Sequence, residues 1–135
     1  FRDWFMSLDE KLVKNILGNI PSENISFLKS SSLKIGDTRI LSNKNAIYKL
    51  VAHYLMNEKN QKQLPINDVC RFHLGNGAII DDIVINANIS EVGFNRSFGV
   101  MVNYLYELKN IEKNHEEYIN NKTIIISNKV KKIIQ

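Results

Sequence analysis

The segment from Arg71 to Leu108, RFHLGNGAIIDDIVINANISEVGFNRSFGVMVNYLYEL, carries the strongest structural signals of this 135-residue chain. Residues 79–85 are β-branched and nearly continuous, which is typical of a largely buried strand. A second strand is predicted over 100–106, because valine and tyrosine alternate there with other side chains. Between the two strands, Ser90 is a suitable N-cap for a short helix that runs to Arg96.

The residues just before the first strand predict a tight turn. Phe72 to Leu74 is predicted as a short strand, and Gly75-Asn76-Gly77 supplies the backbone freedom of a hairpin turn. The same glycines could cradle a phosphate with their backbone N–H groups. A hairpin turn explains them equally well and is the preferred interpretation.

The part of the chain before this segment is predicted to be mainly helical. Residues 1–20 place apolar side chains at spacings of three and four, the period of an amphipathic helix, and Pro21 ends it. Residues 22–42 are predicted as a loop with short structured pieces. A second helix is expected from Asn43 to about Asn57.

The remaining segments complete an α+β fold. Residues 57–68 and the polar stretch 109–121 are predicted as connections, and Ser127 can cap a last helix. The predicted architecture is helices followed by a small mixed sheet.

Composition limits the partners. The net charge of +4 comes from scattered lysines, with only Lys129, Lys131 and Lys132 in a tight group, so we expect no nucleic-acid partner. No run approaches the roughly 18 apolar residues of a membrane span, so no membrane partner is expected. Cys70 is the sole cysteine, which excludes an internal disulfide and favours an intracellular setting. The histidines lie far apart in the sequence and give no metal signal.

His73 is the strongest candidate for chemistry. At the end of a strand beside a turn, it could give or take a proton near neutral pH. From local sequence alone, a packed histidine bonded to backbone is the commoner outcome. Tyr104 and Tyr106 share one strand face and could bond a carbonyl or hold a histidine tautomer, although core packing is commoner for such residues.

Other reactive side chains are weaker candidates. His53 and His115 are interpreted as structural. The adjacent carboxylates Asp81 and Asp82 face opposite sides of a strand and cannot act as one pair. Cys70 lies three residues before His73, which in a strand points it to the opposite face, so a Cys–His nucleophile is rejected.

The order of the motifs FHLGNGA, Ser90-x-x-Gly93 and GVMVNYLY resembles the C-terminal part of the malonyl-CoA decarboxylase family. FRDW at residues 1–4 resembles the family's FRxW, so the resemblance covers nearly the whole chain and is densest over 72–106. It implies that residues 1–135 are the C-terminal portion of a catalytic domain with a GNAT-like fold. Because the chain begins at Phe1, we expect it to be a piece of a longer protein.

The resemblance also implies a function and a site. Family members convert malonyl-CoA to acetyl-CoA and CO2 in fatty-acid metabolism, without a metal or organic cofactor. The family's catalytic histidine corresponds to His73, and Tyr106 and Asn76 are placed at the substrate. The family's serine precedes FRxW, so this chain alone is expected to be inactive. The complete protein is expected to be an intracellular homo-oligomer, in cytoplasm, mitochondrion or peroxisome.

Departures from the family pattern leave alternatives open. Asp82 and Ile85 replace a commonly found arginine and tryptophan, and Asn88 replaces an aspartate. The polar contacts of those three residues are therefore in doubt. A GNAT-like acyltransferase, a decarboxylase for another acyl carrier and a non-catalytic CoA-thioester binding module are the alternatives to malonyl-CoA decarboxylation.

Overall fold

A computed structural model describes all 135 residues and confirms the α+β class. None of its helices is both long enough and apolar enough to cross a membrane. The elements, in chain order, are α1 Arg2–Ser7, α2 Glu10–Leu17, α3 Ser22–Leu28, α4 Arg39–Ser42, α5 Lys44–Asn57, α6 Asp68–Gly75, β1 Ile79–Val84, α7 Glu91–Ser97, β2 Met101–Leu105, a 3₁₀ turn Leu108–Asn110, α8 Ile111–Asn121 and α9 Asn128–Ile134.

The chain divides into two compact units, each made of two segments. The first unit comprises Phe1–Val51 and Val84–Met101, and the second comprises Ala52–Ile83 and Val102–Gln135.

An aromatic cluster and a buried arginine organise the first unit. Phe5 and Phe98 are fully buried and meet edge to face, with ring centroids 6.1 Å apart. The Arg2 guanidinium lies over the Phe98 ring, 4.6 Å from its centroid, and donates to the Phe94 carbonyl oxygen at 3.3 Å. A buried guanidinium needs such partners. The FRDW segment therefore has a packing role in this unit.

The Ser-x-x-Gly spacing of the first unit also has a physical reason. The Ser90 hydroxyl accepts the Gly93 amide and caps α7, as predicted. The Asn88 side-chain oxygen accepts both the amide and the hydroxyl of Ser90. A Cβ on Gly93 would lie 2.2 Å from the Asn88 carboxamide, so only glycine fits. Asn88 thus supplies an acceptor oxygen, which is what an aspartate would also offer at this position.

The second unit contains the sheet. β1 and β2 pair antiparallel, and Ile80 of β1 makes a parallel bridge with Ile126. A small sheet is therefore present, as predicted, but its two strands are antiparallel and the only parallel pairing is this isolated bridge. Ser127 caps α9 by accepting the Val130 amide, also as predicted.

The N-terminal region is more finely divided than predicted. The single helix expected over 1–20 is two helices, because the Asp9 side chain accepts the Leu12 amide at 2.8 Å and starts α2 inside the periodic pattern. Residues 22–42 contain α3 and α4 as short helical pieces. α5 spans Lys44–Asn57, close to its predicted bounds.

Several predictions in the second unit are wrong. Phe72 to Leu74 is helix, not strand, because α6 runs from Asp68 to Gly75. The predicted link over 109–121 contains α8. The buried residues of α8 are Asn114 and Tyr118, and Asn114 satisfies its amide by donating to the Gly77 carbonyl oxygen at 3.1 Å. Because the buried residue Asn114 is polar, the spacing of apolar residues along α8 does not indicate a helix.

Gly75-Asn76-Gly77 is a helix-to-strand junction, not a hairpin turn. Asn76 is the C-cap of α6, and Gly77 has φ +89°. A Cβ on Gly77 would lie 2.4 Å from the Ile111 carbonyl oxygen at the start of α8. Gly77 is therefore needed both for its backbone conformation and for the close approach of α8.

We predict that Gly77→Ala destabilises the protein by more than Gly36→Ala, its matched control. Gly36 has φ +81° and open space where a Cβ would lie, so its substitution reports the conformational cost alone, roughly 1–2 kcal/mol. Gly77→Ala adds the clash with Ile111. Urea unfolding of both variants measures the difference, and equal losses would contradict the packing role of Gly77.

Candidate functional site

His73 lies on the last full turn of α6, in the second unit. The helix starts at Asn67, whose side chain accepts the Cys70 amide at 2.9 Å. It ends at Asn76, whose amide nitrogen and side chain both donate to the Phe72 carbonyl oxygen. Both ends of this short helix are therefore satisfied, and the His73 backbone is fixed.

Tyr104 in β2 and Tyr106 just after β2 both contact the His73 imidazole. The Nδ1 atom lies 2.7 Å from the Tyr106 hydroxyl oxygen, a hydrogen bond whose direction depends on the tautomer. The ring stacks on Tyr104, with centroids 4.4 Å apart and planes at 20°. Residues 104 and 106 lie on the same side of the strand, as predicted, so both can reach His73.

Cys70 completes this cluster from the buried side. Burial raises the pKa of Tyr104 far above its ordinary value, and the neighbouring Cys70 raises it further. Burial also raises the pKa of the fully buried Cys70. Tyr104 thus stays a neutral hydroxyl, and the thiol stays protonated at physiological pH.

The geometry of the Cys70–His73 pair differs from the one predicted for a strand. On a helix, residues 70 and 73 are neighbours on one side, so the prediction that they face opposite ways is wrong. Cys70 is nevertheless unsuited to be a nucleophile because it is buried and its pKa is raised. A nucleophilic cysteine needs an accessible, stabilised thiolate.

Asn76 has a structural contact in the site. Its side-chain amide donates to the Phe72 carbonyl oxygen at 2.9 Å, while the residue is exposed to solvent. The predicted role of Asn76 in substrate binding stays a prediction. In the structure, this side chain lies at the C-terminal end of the helix that carries His73.

The other candidates lie in structural contacts. His115, on α8, has Nδ1 2.6 Å from the Gly75 carbonyl oxygen, so Nδ1 carries the proton and ties α8 to the end of α6. His53 approaches Glu58 at 3.5 Å. Asp81 and Asp82 both lie near Lys129, at 3.8 and 3.9 Å. No three His, Cys, Asp or Glu side chains are grouped to hold a metal ion.

The arrangement around His73 suits proton transfer. Tyr106 engages Nδ1, and Nε2 makes no hydrogen bond within the protein. A histidine with one nitrogen fixed and the other available is the usual form of a general acid or base. Tyr106 itself is 39% exposed, so this edge of the site is open to solvent.

The whole chain, residues 1–135, matches the family model described as the malonyl-CoA decarboxylase C-terminal domain. The chain therefore belongs to the malonyl-CoA decarboxylase family. It is 30% identical to the mitochondrial malonyl-CoA decarboxylase of Mus musculus over 123 residues, which are 90% of this chain and 25% of that protein. The Rattus norvegicus enzyme is 35% identical over 88 residues, 65% of this chain and 18% of that protein.

Solved structures of malonyl-CoA decarboxylases have the same fold. The structure from Rhodopseudomonas palustris gives a TM-score of 0.79 at 29% identity, covering 98% of this chain and 30% of that one. The structure from Cupriavidus metallidurans gives 0.76 at 28% identity, covering 98% and 35%. The chain thus spans about a quarter of the length of its mouse relative and about a third of the solved chains.

In this member of the malonyl-CoA decarboxylase family, the sequence indicates His73 and Tyr106 but not the contacts behind them. Tyr104 is predicted to share a face with Tyr106 and either to hold a histidine tautomer or, more commonly, to pack in the core. Its proximity to Cys70 is hidden when residues 72–74 are predicted as a strand. Two features of the sequence could have predicted helix α6. Asn67 is a suitable N-cap three residues before Cys70, and the apolar residues Cys70 and Leu74 are one helical turn apart.

We predict that Cys70 is unreactive in the folded protein. Its raised pKa leaves even less thiolate than an ordinary cysteine has at pH 8, and burial blocks access. A thiol-specific chromogenic reagent should titrate no thiol in native protein and one per chain after denaturation. Rapid labelling of the native protein would contradict the buried position.

Proposed function

We propose that this chain supplies the acid–base residue for decarboxylation of malonyl-CoA to acetyl-CoA and CO2, and that this residue is His73. The main support is the Nδ1–Tyr106 hydrogen bond of 2.7 Å, which leaves Nε2 without a protein partner. Membership of the malonyl-CoA decarboxylase family supplies the reaction.

The reaction places two demands on the site. When the bond between the malonyl methylene and its carboxylate breaks, the electron pair moves onto the thioester carbonyl and CO2 leaves. The resulting enolate must be stabilised by hydrogen-bond donors, and its carbon must then receive a proton. In the proposal, His73 acts on the substrate through Nε2.

The direction of the Tyr106 hydrogen bond separates two roles for His73. If Nδ1–H donates to the Tyr106 oxygen, an imidazolium can deliver the Nε2 proton to carbon and remain a stable neutral ring. If the Tyr106 hydroxyl donates to Nδ1, a neutral ring presents Nε2–H as a hydrogen-bond donor to a carboxylate or enolate oxygen. In both roles Tyr106 stabilises the working form of His73.

Tyr106 and Asn76 are included as residues at the substrate. Tyr106 is supported by its exposure and its bond to His73. Asn76 is supported only by its position three residues beyond His73, at the end of α6. We expect Tyr106→Phe to affect turnover more than Asn76→Ala does.

The partners in the proposal follow from the same reaction. The ligand is a CoA thioester, and an intracellular location is supported by the mitochondrial names of the mouse and rat relatives. The compartment of this protein and a homo-oligomeric state are parts of the proposal that fractionation and light scattering of the complete gene product can test.

We predict that His73→Ala lowers kcat for release of labelled CO2 from malonyl-CoA by roughly two or more orders of magnitude in the complete gene product. Tyr106→Phe should lower it about tenfold, the effect expected from losing one hydrogen bond to a charged group. The matched control is His53→Ala, a histidine in the same unit whose Nε2 lies 3.5 Å from Glu58.

The outcomes separate the parts of the proposal. Turnover that survives His73→Ala would remove the assignment of His73 while leaving the reaction intact. An active, folded His53→Ala variant is required before a loss in His73→Ala can be assigned to chemistry. If the unaltered gene product releases no CO2, the proposed reaction is wrong.

A further inference from the structure

Tyr104 has no part in the proposed reaction, yet its surroundings are unusual for a core tyrosine. One face of its ring covers the His73 imidazole, at a centroid distance of 4.4 Å and an interplanar angle of 20°. Its hydroxyl lies near Cys70, which is one helical turn before His73. A single side chain of β2 is therefore close to two side chains on one side of α6.

The surroundings of Tyr104 are largely buried. Cys70 is fully buried, so the hydroxyl end of the Tyr104 ring lies toward the interior of the unit. Burial keeps this hydroxyl neutral across the physiological pH range. The stacking on His73 therefore involves a neutral tyrosine ring.

The Tyr104 and Tyr106 contacts restrict the imidazole of His73 in different directions. The Tyr106 hydroxyl meets Nδ1 at the ring edge, and the Tyr106 ring itself is tilted 68° to the imidazole. The Tyr104 ring lies almost parallel to the imidazole and limits rotation out of that plane. A hydrogen bond to Nδ1 is directional, so it persists only while the imidazole stays in plane with its partner.

We propose that Tyr104 is a positioning residue for His73: its ring, stacked on the imidazole, holds the imidazole plane so that Tyr106 keeps Nδ1 in one protonation pattern and Nε2 remains the working nitrogen. This inference rests on the proposed function for its catalytic meaning. The positioning itself can be measured without any catalytic assay.

The test is NMR of the protein labelled with ¹⁵N-histidine, at a pH where His73 is neutral. The three histidine signals are assigned with His53→Gln and His115→Gln variants. In the unaltered protein, the ¹⁵N shifts of His73 should indicate one tautomer, and its ring protons should be shifted upfield by the Tyr104 face. A mixed tautomer or unshifted ring protons would overturn the proposal without any Tyr104 variant.

Two variants separate the ring from the hydroxyl. Tyr104→Phe keeps the stacked ring and should keep the single tautomer and the upfield shifts. Tyr104→Leu removes the face, and its His73 signals should move toward the average of both tautomers and lose the shift. A folded Tyr104→Leu protein with the signals of the unaltered protein would overturn the proposal. Leu105→Ala, on the opposite side of β2, is the matched control and should leave the signals unchanged.

The catalytic arm uses the complete gene product. Tyr104→Leu should lower kcat for CO2 release by about tenfold to a hundredfold, as expected from a small misplacement of a reacting group, with KM little changed. Tyr104→Phe should restore kcat close to the original value. A rise in KM at unchanged kcat would overturn the positioning role. Loss of all turnover in the unaltered protein would count against the proposed reaction only, since the NMR result still decides the role of Tyr104.

Discussion

The hydrogen bond between His73 Nδ1 and the Tyr106 hydroxyl is the constraint on which the candidate site depends. It joins the end of α6 to the residue just after β2, two elements whose contacting residues lie 33 positions apart in the sequence. Stacking on Tyr104 adds a second restraint in a different direction. Together the two contacts define the ring plane of His73 and leave Nε2 as its available nitrogen.

Contacts between α8 and the end of α6 help to hold His73 in this position. Gly77 lets α8 approach the junction after α6, and Asn114 and His115 bond the carbonyl oxygens of Gly77 and Gly75. These bonds satisfy backbone groups that the end of a helix leaves unpaired. The Gly-Asn-Gly segment therefore acts as a packed joint that orients α6 and with it His73.

Much of the fold can be predicted from local signals. The Ser90 and Ser127 caps, the β-branched run of β1 and the alternation in β2 each have a short-range physical cause, and all are present. The predictions fail where tertiary contacts replace local pattern. Asn114 occupies a buried position because the Gly77 carbonyl oxygen lies opposite, which no local rule could indicate.

In the candidate site, too, local patterns predict some features and miss those that depend on tertiary contacts. Alternation along β2 places Tyr104 and Tyr106 on one side, and family resemblance selects His73. The helix that carries His73 is hard to predict because Phe72 is 65% exposed and the glycines resemble a hairpin. Reading that helix as a strand hides the proximity of Cys70 and Tyr104, since only a helix brings residues 70 and 73 to one side.

The role of His73 is tested most directly by a structure of the complete gene product with a non-reactive malonyl-CoA analogue bound. We expect Nε2 of His73 to lie within hydrogen-bond reach, about 3 Å, of the malonyl carboxylate or the thioester oxygen, while Nδ1 still contacts Tyr106. An analogue bound with its malonyl group away from His73, or with Nδ1 rather than Nε2 turned toward it, would contradict the proposed role.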